Sequence, residues 1–300
     1  MIYRVSILLC AMVLSLSAHA VTAFQDQVKF AYKDKDSLSG LGTEKKLSAN
    51  FLHYLQLVNP FAGPVDEAAF LNRIGSIGAG FSYVQVNTDI DNLGSVNPNG
   101  IAFDFEYNYV FPNKPLTASI KYARESIEET AGGSLLEGKS NLTELSVGLY
   151  LDLSSHINFS VFNRKMNFRE VNVQDSKADA SSLQLAYKKV WVNPGKKSFN
   201  LEFSYASGDQ QLPGSTQTLD FSVIGLLGDV YFSAQSKLGL GYSLNSDNNA
   251  AIGDSSTIVF RGATYFDSIN AIGFDYYNTK FDIEIDNKKS FLVYYKRLMK

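Results

Sequence analysis

The strongest constraint on the fold is a strict two-residue alternation that persists through long segments of the chain. From Ile101 to Phe111, apolar and aromatic side chains occupy every second position, and Asp104, Glu106 and Asn108 lie between them. Successive side chains of a β-strand point to opposite faces of the sheet, so a strand here has an aromatic face and an acidic face. Such a strand needs apolar surroundings on one side and a polar environment on the other.

The same alternation recurs along most of the sequence and predicts an all-β chain. The predicted strands after residue 73 are 74–87, 101–111, 115–127, 141–153, 156–168, 181–192, 198–207, 217–228, 230–244, 255–266, 270–283 and 289–299. Two more are predicted upstream, at 24–33 and 47–57. We therefore expect fourteen strands, with twelve as the alternative if the upstream pair stays outside the sheet.

Short and long connections alternate between these strands. The short ones are 112–115, 154–155, 193–197, 228–229 and 267–270, and the long polar ones are 88–100, 128–140, 169–180, 208–216 and 245–254. An up-and-down transmembrane β-barrel of the bacterial outer membrane has this pattern, with tight turns in the periplasm and long loops outside. In segment 156–168 the alternation loses phase near Arg164, which predicts either a bulge or a strand that emerges above the membrane.

The N-terminus predicts export. A short basic region, Met1 to Arg4, precedes an apolar run at 5–16 and the small-residue signal Ala18-His19-Ala20. This arrangement is typical of a secretory signal peptide, so we expect residues 1–20 to be cleaved and 21–300 to form the barrel. The apolar run is shorter than the roughly 20 residues of a membrane-spanning helix. The only cysteine, Cys10, lies in the predicted signal.

Charge and histidine content argue against several function classes. The chain has 27 basic and 30 acidic residues, a net charge of −3, which is too small to indicate a nucleic-acid partner. Beyond the predicted signal only His53 and His156 remain, and their spacing fits no metal site. Ser154 and Ser155 precede His156, but a polar turn explains them better than a catalytic group. We predict no enzyme activity, catalytic residue, metal or cofactor.

Residues 59–73 predict one short helix on the periplasmic side. Pro64 suits a first helical position, Asp66 and Glu67 suit the positive end of the helix dipole, and Asn72 can close the C-terminus. Two interpretations stay open for this segment. It is either a periplasmic connector or a plug held inside the barrel.

The stretch GPVDEAAFLNRIGSIGAGFSYVQV, Gly63 to Val86, resembles the general porin family of Gram-negative proteobacteria. Members carry a Pro-x-(Asp/Glu)-Ala-Ala-Phe-Leu-Asn motif before a barrel strand. The matching residues here are Pro64, Glu67, Ala68, Ala69, Phe70, Leu71 and Asn72. The resemblance implies a barrel that forms a pore in the cell outer membrane, and porins of this kind are commonly homo-oligomers.

The alternation also assigns residues to the lumen. The predicted pore-lining residues are Asp104, Glu106, Lys121, Glu144, Lys188, Glu202, Asp220, Lys237, Arg261 and Asp275. Both signs of charge are present, with a mild acidic excess that would favour cations. Fourteen strands about 4.8 Å apart and tilted by about 40° would leave an opening of about 15 Å after side chains are subtracted.

These patterns predict a water-filled porin for passive diffusion of small hydrophilic solutes and ions, embedded in outer-membrane lipid. One alternative is a non-conducting barrel with an adhesion or structural role carried by the predicted loops 88–100 and 128–140. The least favoured alternative is a barrel hydrolase. Two glycine pairs, Gly78-x-Gly80 and Gly239-x-Gly241, fall inside predicted strands, where they are expected to relieve crowding or to allow curvature.

Overall fold

The computed structural model describes residues 23–300 except 37–41, 61–62, 91–93, 97, 132–133, 171–175, 194–196, 212–216, 248–252 and 283–286. The strands are β1 (Phe24–Asp36), β2 (Gly42–Val58), β3 (Ser76–Ile90), β4 (Gly94–Val96), β5 (Asn99–Val110), β6 (Leu116–Ala131), β7 (Ser134–Asp152), β8 (Ser155–Glu170), β9 (Ser176–Trp191), β10 (Ser198–Gln211), β11 (Thr218–Tyr231), β12 (Ser236–Asp247), β13 (Ser255–Tyr265), β14 (Asn270–Phe281) and β15 (Lys288–Met299). A 3-10 turn at Val65–Glu67 leads directly into a short helix, α1 (Ala68–Leu71).

Fourteen of these strands close into an antiparallel β-barrel, as the sequence predicted. Each strand pairs with the next one in the chain, except that β3 pairs with β5. Strand β1 pairs with β15, and the three-residue β4 pairs with the last residues of β3. The twelve-strand alternative is wrong, because β1 and β2 are full members of the ring. Closure pairs the backbone of every barrel strand on both sides and leaves no open sheet edge.

The two ends of the barrel differ. One end, called the turn end below, carries the short connections. The first residues of β1 and the last residues of β15 also lie there, and Asp26 pairs with Met299. At the opposite, loop end, several predicted long connections are instead strand. Strands β6 and β7, for example, stay paired as far as Ala131 and Ser134. Most of the polar stretch at 128–140 is therefore paired strand. Two paired strands form backbone hydrogen bonds with each other whether their side chains are polar or apolar.

The predicted turn at Gly228-Asp229 is also wrong. Strand β11 continues through both residues to Tyr231, and the chain turns at 232–235. The extended backbone places the carboxylate of Asp229 inside the barrel, where it is buried against Arg261.

The outer face of the barrel is apolar and the inner face is polar. On β7, Leu145, Val147 and Leu149 point outward and are 40–60% exposed, whereas the alternate residues Ser146 and Tyr150 are buried. Most other strands repeat this division. Among the described residues, no helix has the length and apolar character needed to cross a membrane.

Strand β8 shows no bulge at Arg164. Its pairing with β9 runs without interruption from Ser155 to Phe168, and the register shift between β7 and β8 lies far away, between Tyr150 and Asp152. The guanidinium of Arg164 reaches Ser140 on the adjacent strand β7 at 2.8 Å and Glu125 on β6 at 3.4 Å. The polar residues here extend β8 toward the loop end.

The main buried apolar cluster lies inside the turn end. It combines residues of strands β1, β2, β13, β14 and β15 with residues of the connection between β2 and β3. Its members are Phe24, Tyr54, Val58, Val65, Ala68, Ile74, Tyr265, Ala271 and Leu298. The turn end is therefore filled, and the connection that fills it belongs to the core.

Candidate functional site

The connection between β2 and β3 folds into the barrel. Its described part beyond the gap at 61–62, residues 63–75, is called the lumen segment below. The backbone N–H of Val65 donates to the carbonyl of Ala234 at 2.8 Å, so the segment reaches the turn between β11 and β12. These strands lie far around the ring from β2 and β3. The lumen segment therefore crosses the interior of the turn end.

Asp66 anchors the lumen segment to one part of the inner wall. Its carboxylate forms ion pairs with Lys237, at 3.1 Å, and with Lys296, and it accepts a hydrogen bond from the Tyr265 hydroxyl at 3.3 Å. Burial alone would raise the pKa of Asp66, but the two ammonium groups outweigh burial and hold that pKa well below its ordinary value. Asp66 thus carries its negative charge inside the barrel.

Glu67 anchors the segment to the neighbouring part of the wall. It is 3% exposed, and its carboxylate lies 2.7 Å from the ammonium of Lys188. The hydroxyl of Tyr231 donates to it at 2.8 Å and the amide of Asn200 at 3.3 Å. Adjacent residues in sequence point in opposite directions from this short turn, so Asp66 and Glu67 reach different strands.

A second buried ion pair supports the same wall. Arg261 donates from Nε and Nη2 to the two carboxylate oxygens of Asp229, at 2.7 and 2.6 Å. Glu202 lies within 3.7 Å of Arg261 and within 3.4 Å of Lys188, and so links the two clusters. Four cationic side chains on the wall therefore share carboxylates from the wall and from the lumen segment.

A cavity of about 640 Å³ opens beyond the lumen segment. The lumen segment contributes Ala69, Phe70 and Ile74 to its floor. The polar residues of its walls are Ser76, Glu106, Asn108, Thr117, Ser119, Glu144, Ser146, His156, Asn158, Gln184, Lys188, Glu202, Ser204 and Ser243. Charged groups and amides of this kind can hydrate ions and small polar solutes.

Charges along the inner wall are segregated. Glu106, Lys121 and Glu144 are register partners on β5, β6 and β7, and Asp104 lies on the same face of β5. In the ring of fourteen strands, β6 lies opposite β13, which carries Arg261. The wall that carries Asp104, Glu106 and Glu144, called the acidic wall below, thus faces the wall that holds the lysine and arginine cluster with its paired carboxylates.

Nine of the ten predicted pore-lining residues lie on the inward face of their strands: Asp104, Glu106, Lys121, Glu144, Lys188, Glu202, Lys237, Arg261 and Asp275. Asp220 is placed differently. It is exposed and shares the outward side of β11 with Ile224 and Leu226, near the loop end.

Sequence reasoning did not find Asp229 or Lys296, both of which belong to the turn-end cluster. Asp229 was missed because the sequence predicted a turn at 228–229, where the structure has a strand. Lys296 was hidden because it lies in the run Tyr294–Arg297, where the alternation of polar and apolar residues is weak. Asp66 and Glu67 were noted for their helix-end positions, and Glu67 also for the motif, but nothing local in the sequence identifies their partners more than a hundred residues away.

The two glycine pairs have the crowded surroundings that the sequence predicted. A Cβ atom at Gly80 would overlap the carboxylate of Asp104, and one at Gly239 would overlap that of Asp229. Glycine at these positions lets large charged side chains lie across the neighbouring strand.

The histidines and the serine pair do not come together as a catalytic group. His156 Nε2 is 3.0 Å from Thr117 Oγ1 on the inner face, whereas the Ser154 hydroxyl donates to Asp152 in the turn. His53 lies at the outer rim of the turn end, where Nδ1 is 2.7 Å from a carboxylate oxygen of Asp26.

No family model and no curated protein sequence matches this chain. Solved barrel structures do match it over nearly its whole length. The outer membrane protein Omp33 of Acinetobacter baumannii is 15% identical, covers 92% of this chain and 99% of its own, and has a TM-score of 0.53. The monoaromatic hydrocarbon channel CymD is 7% identical, covers 93% of this chain and 89% of its own, and has a TM-score of 0.61.

A third similar structure is the toluene transporter TodX of Pseudomonas putida. It is 11% identical, covers 96% of this chain and 93% of its own, and has a TM-score of 0.51. At such identities the likeness establishes a shared barrel fold alone.

Proposed function

We propose that this protein is an outer-membrane channel of a Gram-negative bacterium, through which small hydrophilic solutes and ions diffuse passively. The observation that carries the proposal is the polar, charged cavity enclosed by a closed ring of strands whose outer face is apolar. In lipid, only a closed barrel pairs every strand on both sides, and only a polar lumen gives water a path.

The proposal includes an orientation and a route of export. Residues 1–20 act as the cleaved signal peptide, the turn end faces the periplasm, and the loop end faces outward. The solved barrels it resembles include an outer membrane protein, a channel and a transporter, which supports the barrel fold on which the proposal rests.

The charges of the cavity favour cations. Glu106, Glu144 and Glu202 line it, and Lys188 is the single lysine among its lining residues. Lys188 is already paired with Glu67 and Glu202. The remaining carboxylates attract cations from the solution, so we expect cation conductance to exceed anion conductance.

A second candidate, the non-conducting barrel, is favoured by one observation. The lumen segment crosses the turn end and packs into its apolar cluster. A segment that never moves would close the channel. Conductance in planar lipid bilayers therefore separates the two candidates.

A disulfide lock makes that experiment specific. Val65 and Ala234 are joined by a backbone hydrogen bond of 2.8 Å, and the chain has a single natural cysteine at position 10. The double variant V65C/A234C, prepared without residues 1–20, would tie the lumen segment to the wall when oxidised. We expect low conductance in the oxidised protein and wild-type conductance after reduction.

The control is V65C alone, whose conductance should not respond to reductant. If the wild-type protein, folded in lipid, conducts no ions at any voltage, the channel proposal is wrong and the non-conducting barrel replaces it.

A further inference from the structure

We infer that the wall facing the lumen segment is a carboxylate-binding site, which Asp66 and Glu67 occupy from within the chain and which a small dicarboxylate anion can occupy in their place. The inference deepens the proposed channel function by naming a class of solute that the lumen would bind.

The first observation is a balance of charge. The wall contributes four cations, Lys188, Lys237, Arg261 and Lys296, and two carboxylates, Glu202 and Asp229, which leaves a net charge of 4 − 2 = +2. The carboxylates of the lumen segment supply −2 and neutralise it. Lys29 and Asp275, further along the wall, cancel one another. Without the carboxylates of the lumen segment, the wall would carry two uncompensated positive charges.

The second observation is that the hydrogen-bond donors are arranged for carboxylates. Each carboxylate of the lumen segment receives at least one ammonium group and one tyrosine hydroxyl: Lys237, Lys296 and Tyr265 for Asp66, and Lys188 and Tyr231 for Glu67. Asn200 adds an amide donor. Charge-assisted hydrogen bonds of this kind are the strong ones in proteins.

The third observation is where the two sets of groups are held. All the donors belong to barrel strands β9, β10, β11, β12, β13 and β15, which are fixed by pairing on both sides. The two carboxylates belong to a connection with only a four-residue helix. The receptor is therefore held by strand pairing, whereas its occupant lies outside the strand pairing and is held by apolar packing, ion pairs and the backbone hydrogen bond from Val65 to Ala234.

The site also borders the cavity. Lys188, which holds Glu67, lines the cavity together with Glu202 and with Phe70 of the lumen segment. A dissolved anion in the cavity can thus approach the ammonium group of Lys188. Tyr231, which binds Glu67, and Lys237, which binds Asp66, are register partners on β11 and β12, so the two carboxylate positions are adjacent on the wall and suit a small dicarboxylate.

The test removes the internal carboxylates and keeps the receptor. In D66N/E67Q the wall has no occupant with a negative charge, and we expect saturable binding of succinate, measured by isothermal titration calorimetry on the folded protein in detergent. The matched control is D104N/E106Q, which makes the same change in charge on the opposite wall. That variant should bind succinate no better than the wild type.

Specificity is tested with two further ligands and one further substitution. Succinamide has the same shape without charge and should not bind, and inorganic phosphate should bind less tightly than succinate. Adding K296M to D66N/E67Q should weaken succinate binding by about tenfold, which corresponds to the loss of one charge-assisted hydrogen bond. Equal binding of phosphate and succinate would overturn the assignment to carboxylates.

Calorimetry needs no conductance, so the inference and the channel proposal can fail separately. Absence of succinate binding to folded D66N/E67Q, or equal binding to D104N/E106Q, would overturn the inference even if both proteins conduct. If D66N/E67Q does not fold, E67Q alone leaves Lys188 and Tyr231 without their carboxylate partner, and the inference is equally overturned if folded E67Q binds no acetate.

Discussion

Arg261 and Asp229 form a two-point ion pair that lies across the backbone of Gly239. The guanidinium nitrogens are 2.7 and 2.6 Å from the two carboxylate oxygens, and Asp229 is buried. A side chain at Gly239 would occupy the place of that carboxylate and would lie 3.0 Å from Cγ of Arg261. The glycine and the ion pair therefore depend on each other.

We expect G239A to destabilise the barrel by about 1–3 kcal/mol, the usual cost of forcing extra atoms into a packed interior. The measurement is the free energy of unfolding by urea in lipid vesicles. The control is G228A on the adjacent strand, where the nearest atoms to a new Cβ are at 3.6 and 3.9 Å, an ordinary contact. Equal stability of the two variants would show that the pair does not require glycine.

A second prediction concerns the pH dependence of the lumen segment. The pKa of Asp66 is held well below its ordinary value by Lys296 and Lys237, against the opposing effect of burial. A carboxyl whose pKa is lower in the folded state contributes stability that is complete above its ordinary pKa and declines as pH falls toward the folded value. We therefore expect the anchoring by Asp66 to be constant from pH 7 to pH 5 and to weaken in more acidic solution.

The measurement is unfolding free energy against pH for the wild type and for D66N. The difference between the two proteins should be largest at neutral pH and should shrink below about pH 4, where unfolded aspartate takes up its proton. A difference that grows in acid would mean that the Asp66 carboxylate is not stabilised by the lysines.

The fold was predictable because alternation, strand length and turn position are local properties that all favour the same barrel. Strand β11 shows where the alternation fails. From Leu219 to Leu227, both of its faces carry apolar residues, so the sequence alone cannot assign Asp220 to one side. The structure resolves the ambiguity through register, because β11 pairs with β10 and β12 without a shift.

The turn-end cluster was predictable only in part. The segment that carries Asp66 and Glu67 was identifiable from its turn and helix signals. Its partners Tyr231 and Lys296 are 164 and 230 residues away, and closure of the barrel determines which wall residues it meets. No local pattern encodes contacts of that range.

A third prediction tests the apolar outer face. Val147 is 60% exposed and lies on the outward side of β7 between Leu145 and Leu149, which are also exposed. If that side contacts lipid, V147R should lower the free energy of unfolding from bilayers by about 2–4 kcal/mol, the cost of a cationic side chain on the lipid-facing side near the bilayer midplane. The control is Q184R, because Gln184 lines the cavity and can accept a charge there. A soluble, detergent-independent barrel would show no penalty for V147R.

The last prediction concerns ion selectivity, and Asp220 supplies its control. Glu106 lines the cavity and is the register partner of Lys121, so its carboxylate belongs to the acidic wall. Removing that charge in E106Q should move the ratio of potassium to chloride permeability toward unity, measured as reversal potential in a salt gradient. D220N makes the same change in charge on the outward side of β11 and should leave the ratio at its wild-type value. A shift of equal size in both variants would mean that selectivity follows the net charge of the protein, and the acidic wall would then have no special role in permeation.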